Sequence, residues 1–201
     1  GQAAGYGCDF SLQSATHTFN LGLGLNGLGK QLVYIGYGLY IVLLHFVCAF
    51  PVTKEGREML LLYRVGSRVI APSFVGVGGH FEPEEISDAR ACVLREMQEE
   101  IGLEEGDLLD MKLRYVTLRL KNGEIRQNYY FFGKLKERIP RESTEGILKW
   151  VPFEEVPQLT MPVSAKHMIL HYLQEGRFTD ELYAGITEES GTNFVVMREF
   201  A

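Results

Sequence analysis

The segment that most constrains the fold of this chain is GGHFEPEEISDARACVLREMQEEIGL, residues 78–103. A glycine pair opens it, an acidic stretch follows, and an apolar-periodic stretch ends at Gly102. Ser87 is a plausible N-cap, and glycine is common where helices end. The segment therefore predicts a loop, a helix over residues 87–101 and a second loop.

The predicted helix separates charge from apolar surface. At about 100° per residue, three carboxylates fall on one face; they belong to Glu96, Glu99 and Glu100. Leu94, Met97 and Ile101 lie on the opposite side, where they are expected to pack on a core. The carboxylates should then face a cleft or solvent.

Like charges four residues apart, as at Glu96 and Glu100, destabilise a bare helix by a few tenths of a kcal/mol. Something positive should therefore lie against them. Clustered oxygen ligands suit Mg²⁺ (or Mn²⁺), which typically completes its shell with water and substrate phosphates. An acidic run on a helix can equally be a solvated face. The glycine pair before it and Arg95 within it favour metal-assisted phosphate chemistry.

These residues together resemble the signature of the Nudix hydrolases, whose substrates are nucleoside diphosphates linked to a further group. The resemblance covers about residues 40–176 and implies an α/β/α sandwich with a mixed sheet and a loop–helix–loop signature. It implies that Glu96, Glu99 and Glu100 bind metal, with the backbone carbonyl of Gly78 or Gly79 as a further ligand. Arg95 would orient the acidic cluster through an ion pair, although it could also be a surface arginine covering apolar neighbours.

The signature departs from the family pattern at one point. Glu85 lies where a glutamate is expected after Gly79, but two residues more than the family spacing separate it from Arg95. Either the loop before the helix is longer by two residues, or Glu82 or Glu84 takes the role. A merely solubilising acidic loop is the other interpretation.

A narrower resemblance points to the MutT-type, 8-oxo-dGTP diphosphatase branch. It rests on the runs at 75–82 and 159–167 and on Glu145-Gly146 followed by Trp150. It implies that Glu145 is a further metal ligand or the general base, against a plain loop carboxylate. Thr160 stands where the branch has a purine-reading asparagine, so either its hydroxyl or another residue would have to read the base. Candidate substrate-binding residues are His80, Thr160 and Lys166, and candidate catalytic residues are Arg95, Glu99, Glu100 and Glu145.

The predicted function is a Mg²⁺-dependent nucleoside triphosphate pyrophosphohydrolase, with conversion of 8-oxo-dGTP to 8-oxo-dGMP and pyrophosphate as the first guess. One alternative is a Nudix hydrolase acting on another nucleoside diphosphate derivative. Another is a non-catalytic, nucleotide-sensing domain, and such domains commonly lose signature glutamates. All three are present here, which favours an enzyme.

Composition narrows the class of partner. The chain has 201 residues, 46% hydrophobic and 23% charged, which is ordinary for a globular protein. A formal charge of −6 and the lack of a basic stripe argue against a nucleic-acid polymer as partner. Three widely spaced cysteines, Cys8, Cys48 and Cys92, suggest reduced thiols and a cytoplasmic protein.

The N-terminal part of the chain lies outside the family resemblance. Residues 1–38 form a Gly/Leu-rich extension of unknown role before a predicted Nudix domain at 39–201, and the extension could build a homodimer. Within it, Leu21, Leu23 and Leu25 alternate with polar or glycine residues, which suggests an edge strand or a flexible arm. Residues 32–50 lack Asp, Glu, Lys and Arg and are long enough for a membrane anchor. Their Tyr, Val and Ile content favours a strand instead, so no membrane association is expected.

Strands and one further helix are predicted along the rest of the chain. The strands are expected near 41–52, 58–64, 73–77, 112–120, 125–135 and 147–152. The further helix is expected near 163–174. Asn122-Gly123 should form a hairpin turn, and a final hairpin is expected within residues 183–197.

Overall fold

The computed structural model describes residues 30–36, 39–65, 71–137, 143 and 145–199. Eleven regular elements follow one another along this part of the chain. They are β1 Lys30–Gly36, β2 Leu39–Val52, β3 Glu58–Arg64, β4 Ser73–Val75, α1 Ala89–Ile101, β5 Leu108–Lys121, β6 Glu124–Leu135, β7 Ile147–Pro152, α2 Val163–Gln174, β8 Tyr183–Thr187 and β9 Thr192–Val196. The predicted alternation around Leu21–Leu25, and Cys8, lie outside the described residues.

The strands form one mixed sheet. Its order is β4–β3–β2–β6–β5–β8–β9, with β1 paired to β2 and β7 paired to β3. The pairs β2–β6 and β5–β8 are parallel, and the other pairs are antiparallel. Short connections join the antiparallel pairs other than β3–β7, whereas the parallel pairs require crossovers.

The two helices cover opposite faces of this sheet. Alternate residues of β2 point to opposite layers, so Val47 and Ala49 pack in the core under α1. Phe50 and Val52 pack in the core under α2. A strand buried on both faces has a nearly continuous apolar sequence, which is why β2 also resembled a membrane anchor. The predicted α/β/α sandwich is confirmed.

The β5–β6 hairpin has the predicted turn. Asn122 and Gly123 both have positive φ, 54° and 75°, as a two-residue turn of this kind requires. The turn fixes the register of the two strands, and Arg119 is the partner of Arg126. The final hairpin, β8–β9, is also confirmed.

Four predicted boundaries were wrong by two residues or more. Strand β2 begins at Leu39 rather than at residue 41, because its first residues pair with β1. Helix α1 begins at Ala89 rather than at residue 87, because Asp88 and not Ser87 is the N-cap; its side chain accepts the N–H of Ala91 at 3.0 Å. Strand β4 ends at Val75 because the chain then leaves β3 and bridges to β2 at Val77. Strand β5 begins at residue 108 rather than 112, ahead of an irregularity in pairing where Asp110 has φ 52°.

The described residues of the apolar run at 32–50, which are 32–36 and 39–50, lie in the paired strands β1 and β2. In the part of the chain described here, no helix is long and apolar enough to cross a membrane. The division predicted at residues 38 and 39 falls between these two paired strands.

Candidate active site

Helix α1 places the acidic residues against the sheet. Cys92, Val93 and Met97 are fully buried on its inner side, which fixes the rotation of the helix about its axis. Gly102 ends it with φ 60°, and its N–H bonds to the carbonyls of Gln98 and Met97. This rotation turns Glu96 and Glu100 toward the loop of residues 76–82, whereas Glu99 is exposed.

Glu100 is almost fully buried, with 8% of its surface exposed. One carboxylate oxygen accepts the N–H of Gly78 at 3.0 Å, and the other accepts a guanidinium N–H of Arg64 at 3.0 Å. Burial raises the pKa of Glu100 to about 7, because the Gly78 bond and the Arg64 charge offset the cost of desolvation only in part. The nearby carboxylates of Glu145 and Glu96 raise this pKa further.

Arg95 holds the rest of the cluster. Its Nε and one terminal nitrogen form a two-point contact with Glu85, at 2.7 and 2.9 Å. Its other terminal nitrogen donates to Glu96 at 2.9 Å and to Glu99 at 3.0 Å. The Arg95 bond is the largest cause of a lowered pKa at Glu85, whereas burial raises the pKa of Glu96. Arg95 is thus a hub of charge-assisted bonds, not a surface arginine.

Glu85 is the loop residue that contacts Arg95. Its position resolves the alternatives that the spacing left open, because Glu84 is exposed and Glu82 bonds back to Glu85 through its own N–H. A 3₁₀ turn, Pro83–Glu85, and the turn after it accommodate the two additional residues before the helix. The longer loop therefore leaves the glutamate–arginine contact intact.

The glycine pair is required by close approach. A Cβ at Gly78, where φ is 149°, would lie 2.1 Å from the carbonyl oxygen of Val47. A Cβ at Gly79 would lie 2.6 Å from a carboxylate oxygen of Glu96. The Gly79 carbonyl accepts the N–H of Val47 at 2.9 Å, which ties the loop to β2. Because glycine has no side chain, the loop at residues 78 and 79 can pack closely against both α1 and β2.

Arg64 links the helix to a residue from a different part of the chain. Its guanidinium bonds both Glu100 and Glu145 at 3.0 Å. Glu145 precedes β7 and is 48% exposed, so solvent reaches it. These groups line one end of a cavity of about 500 Å³, together with Gly78, Gly79 and Glu96.

The fold and this arrangement can be compared with known proteins. The NUDIX domain family matches residues 45–172, more than half of the chain. The chain belongs to the Nudix family. No curated protein sequence matches it.

Solved structures agree at the level of fold. A MutT protein from Bacillus halodurans has a TM-score of 0.55 and 22% identity, covering 76% of this chain and 96% of its own. A MutT protein from Methanosarcina mazei has a TM-score of 0.54 and 22% identity, covering 68% and 96%. An Ap4A hydrolase from C. elegans has a TM-score of 0.52 and 17% identity, covering 66% and 95%. At these identities the likeness concerns the fold alone, and it agrees with the Nudix domain that the family match shows.

Several predicted site residues of this Nudix domain lie at the cavity, and others do not. Those that line it are Gly78, His80, Arg95, Glu96, Glu100 and Glu145. Glu99 is 61% exposed and lies on the outer side of Arg95. The imidazole of His80 packs on the ring of Phe46, with centroids 4.4 Å apart.

Thr160 and Lys166 are not among the residues that line the cavity. The ammonium of Lys166 bonds the carbonyls of Leu159 and Pro157, at 2.7 and 2.5 Å. Thr160 is exposed, and its carbonyl accepts the N–H of Phe74. The Lys166 ammonium therefore caps the loop before α2, and a contact between Lys166 and substrate stays a prediction.

Sequence reasoning missed several cavity residues. They are Phe46, Arg64, Arg119, Arg126, Asn128 and Tyr130. Arg119 and Arg126 could have been found, since they lie three residues before Asn122 and three after Gly123 in a predicted hairpin. Arg64 carried no such signal, because its contacts come from α1 and from the segment before β7.

The Nudix carboxylates suit a divalent cation by their chemistry. Glu96 and Glu100 are hard oxygen donors, and burial raises the pKa values of both carboxyl groups. A raised carboxyl pKa means that the ionised forms would be stabilised by additional positive charge. Among the described residues, no three His, Cys, Asp or Glu side chains are arranged as a metal cluster. Arg95 and Arg64 hold these carboxylates instead.

Proposed function

We propose that this Nudix hydrolase is a Mg²⁺-dependent nucleoside triphosphate pyrophosphohydrolase that releases a nucleoside monophosphate and pyrophosphate, with 8-oxo-dGTP as the first candidate substrate. The observation that carries the proposal is the set of desolvated carboxylates, Glu96 and Glu100, at one end of a cavity large enough for a nucleotide. A role in cleaning the nucleotide pool would place the protein in the cytoplasm, and the free thiols of Cys48 and Cys92 agree with that compartment.

The residues that would hold Mg²⁺ are Glu96, Glu99 and Glu100, together with the backbone carbonyl of Gly78. Of the two glycine carbonyls, that of Gly79 already accepts the Val47 N–H. A bound divalent cation supplies neutralisation of the phosphate charge that develops during phosphoryl transfer. Arg95 positions the carboxylates of Glu96 and Glu99 by bonding both through one nitrogen.

Glu145 is the proposed general base. It lines the cavity and is open to solvent, so it can accept a proton from an attacking water. Glu100 is less suited to that task because both of its oxygens are bonded, one to the Gly78 N–H and one to Arg64, whereas Arg64 contacts a single oxygen of Glu145. Arg64 bonds both carboxylates and would orient Glu145 toward the water.

The nucleobase would lie against Phe46 and Asn128, which are direct partners across β2 and β6. Phe46 provides an apolar ring at the cavity wall, and Asn128 provides an amide that can pair with a purine edge. Asn128 would thereby replace the amide whose position Thr160 occupies in the sequence. A single amide supports modest selectivity, so we expect about ten- to a hundredfold preference for oxidised over normal dGTP.

A substrate panel tests the proposal. Purified protein and Mg²⁺ would be incubated with 8-oxo-dGTP, dGTP, the other nucleoside triphosphates, a nucleotide sugar and a dinucleoside tetraphosphate, and the products separated by chromatography. The expected result is monophosphate and pyrophosphate from 8-oxo-dGTP at the highest kcat/KM. Equal rates on dGTP would remove the 8-oxo assignment, and a preference for the sugar or the dinucleotide would replace the substrate class.

The role of Glu145 has its own test. Glu145→Gln should lower kcat and change the acidic limb of the pH–rate profile, while Mg²⁺ affinity measured by titration stays within about threefold of wild type. Loss of Mg²⁺ affinity with an unchanged profile would make Glu145 a metal ligand instead.

A further inference from the structure

One part of the cavity lining is basic. Arg119 on β5 and Arg126 on β6 are direct partners across the hairpin, and both line the cavity. The carboxylates of α1 line the same cavity beside Gly78 and Gly79, where Glu100 accepts the Gly78 N–H and Glu96 lies against Gly79. Arg64 and Arg95 pair with those carboxylates, whereas Arg119 and Arg126 lie on other strands of the lining.

The two arginines lack the partners that a structural pair would have. Within the described ranges, no carboxylate lies within ion-pair distance of Arg119, and the one near Arg126 is Glu124, at 3.9 Å. The Nε of Arg126 is buried and has no hydrogen-bond partner in that same part of the chain. Like charges directly opposite each other destabilise a sheet, and a buried donor without a partner costs free energy. Both costs would be removed by an anion bound between the guanidinium groups.

The ladder of strand pairs sets the distance between the two arginines and the carboxylates of α1. Arg126, Asn128 and Tyr130 share one face of β6, and their partners on β2 are Leu44, Phe46 and Cys48. The last of these rows lies beside these carboxylates, because Gly78 packs against the backbone of Cys48. Four residues at about 3.3 Å each place the Arg126 row roughly 13 Å along the strand from the Tyr130 row. The long arginine side chains can carry their guanidinium groups across several ångströms of that distance.

We propose that Arg119 and Arg126 form an anion subsite that binds a second phosphate group of the substrate, remote from the phosphate bridge that is cleaved. Planar guanidinium groups bind phosphate oxygens through paired hydrogen bonds, and a partly buried pair does so in competition with little water. The phosphate has two potential sources, the end of a polyphosphate chain or a phosphate on the far side of the nucleoside. Only the location of the cleaved bridge rests on the proposed function.

Binding without turnover tests the subsite by itself. Calorimetry with inorganic tripolyphosphate in EDTA would compare wild type with Arg119→Gln, Arg126→Gln and the double variant. We expect at least tenfold weaker binding in the double variant. The matched control is Lys121→Gln, which removes the same charge from the same hairpin at an exposed position that does not line the cavity. Equal loss in the control, or no loss in the double variant, overturns the proposal.

Kinetics then distinguish the two sources of phosphate. The panel would pair nucleoside diphosphates with triphosphates and tetraphosphates, and 5′-triphosphates with their 3′-phosphorylated forms. A rise in KM of tenfold or more in the double variant, with kcat within threefold, should appear only for substrates that carry the second phosphate. Dependence on chain length assigns the terminal phosphate, and dependence on the 3′ group assigns the nucleoside side. A uniform rise across all substrates overturns the subsite. If wild type hydrolyses none of them, the proposed function fails while the calorimetric result still decides the subsite.

Folding does not confound the test. Removing one of two opposed like charges should leave the melting temperature unchanged or raise it slightly. Circular dichroism and thermal unfolding of Arg119→Gln and Arg126→Gln would show this. A large drop in melting temperature would show that the pair supports the hairpin instead, which also overturns the proposal.

Discussion

At the level of single residues, two arginines divide the acidic cluster between them. Arg95 bonds Glu85, Glu96 and Glu99, and Arg64 bonds Glu100 and Glu145. Removing one partner from a buried charge pair leaves an uncompensated charge, which costs more than the pair contributes. The carboxylates are therefore held in a defined arrangement before any substrate arrives.

Replacing a signature glutamate should abolish chemistry and preserve the fold. Glu99→Gln and Glu100→Gln each keep the side-chain size and remove one negative charge from a crowded cluster. Arg95 keeps Glu85 and Glu96 as partners and Arg64 keeps Glu145, so neither charge is left uncompensated and unfolding temperatures should not fall. We expect Mg²⁺-dependent hydrolysis to decrease about a hundredfold or more in each. Phosphate release assays and thermal unfolding measure the two quantities.

Glu84→Gln is the matched control for these variants, because Glu84 is exposed in the loop before α1 and does not line the cavity. It should retain full activity. Turnover within threefold of wild type in both Glu99→Gln and Glu100→Gln would contradict the placement of the metal site on α1.

The raised pKa of Glu100 makes stability depend on pH. Its pKa is about 7 in the fold against an ordinary value of 4.5, so the folded state holds this proton more tightly than the unfolded state. The resulting stabilisation is fully present below pH 4.5 and is lost as pH rises through 7. At 1.36 kcal/mol per pKa unit the loss is at most about 3 kcal/mol.

Denaturant unfolding in EDTA at several values between pH 5 and pH 8 measures this dependence. Glu100→Gln should flatten the decline and be at least as stable as wild type at pH 8. A decline of the same size in the variant would assign the dependence to a different group, with Glu96 as the next to examine because burial also raises its pKa.

At the level of elements, the start of α1 depends on one side chain. Asp88 bonds the Ala91 N–H, whereas Ser87 is exposed before the helix. Asp88→Ala should lower the free energy of unfolding by about 1 kcal/mol, the usual loss for an N-cap. Ser87→Ala should change it by less than about 0.5 kcal/mol. Urea unfolding of the two variants gives both values, and the reverse order would restore Ser87 as the cap.

The elements with local signals were predictable from sequence. Helix α2 has the predicted bounds, residues 163–174, and Asn122-Gly123 forms the predicted turn, because periodicity and turn chemistry act over a few residues. The contact between Glu85 and Arg95 was predicted only in part, because the longer loop left Glu82 and Glu84 as alternatives to Glu85. Residues brought together from distant segments were not predictable: the Arg64–Glu145 pair and the direction of the Lys166 side chain depend on how loops pack.

At the level of the whole molecule, the N-terminal residues contribute a strand to the sheet. Strand β1 pairs with residues 39–44 of β2, and the catalytic candidates lie farther along the chain. Removing the N-terminal residues should therefore leave catalysis intact, whereas loss of β1 should destabilise the sheet. That residues 1–38 build a homodimer stays a prediction.

Two truncations separate these effects. Deleting residues 1–29 keeps β1, and deleting residues 1–38 removes it and exposes a long edge of β2. We expect kcat/KM within about threefold of wild type for both, with a lower melting temperature and more aggregation for the longer deletion. Folded but inactive protein after the shorter deletion would contradict this and would give the arm a role at the active site. Light scattering and thermal unfolding complete the comparison.

The register of β2 and β6 sets the distance between the carboxylate cluster and the two arginines in fixed steps of whole residues. Its spacing cannot change gradually, because slipping a strand by one residue would turn every cavity-facing side chain to the other face. A change of two residues moves a charged group by roughly 7 Å. A change in substrate length during evolution should therefore come from substitutions at fixed positions of β2 and β6, such as residues 44, 46, 126 and 128. A shift in strand register is not expected.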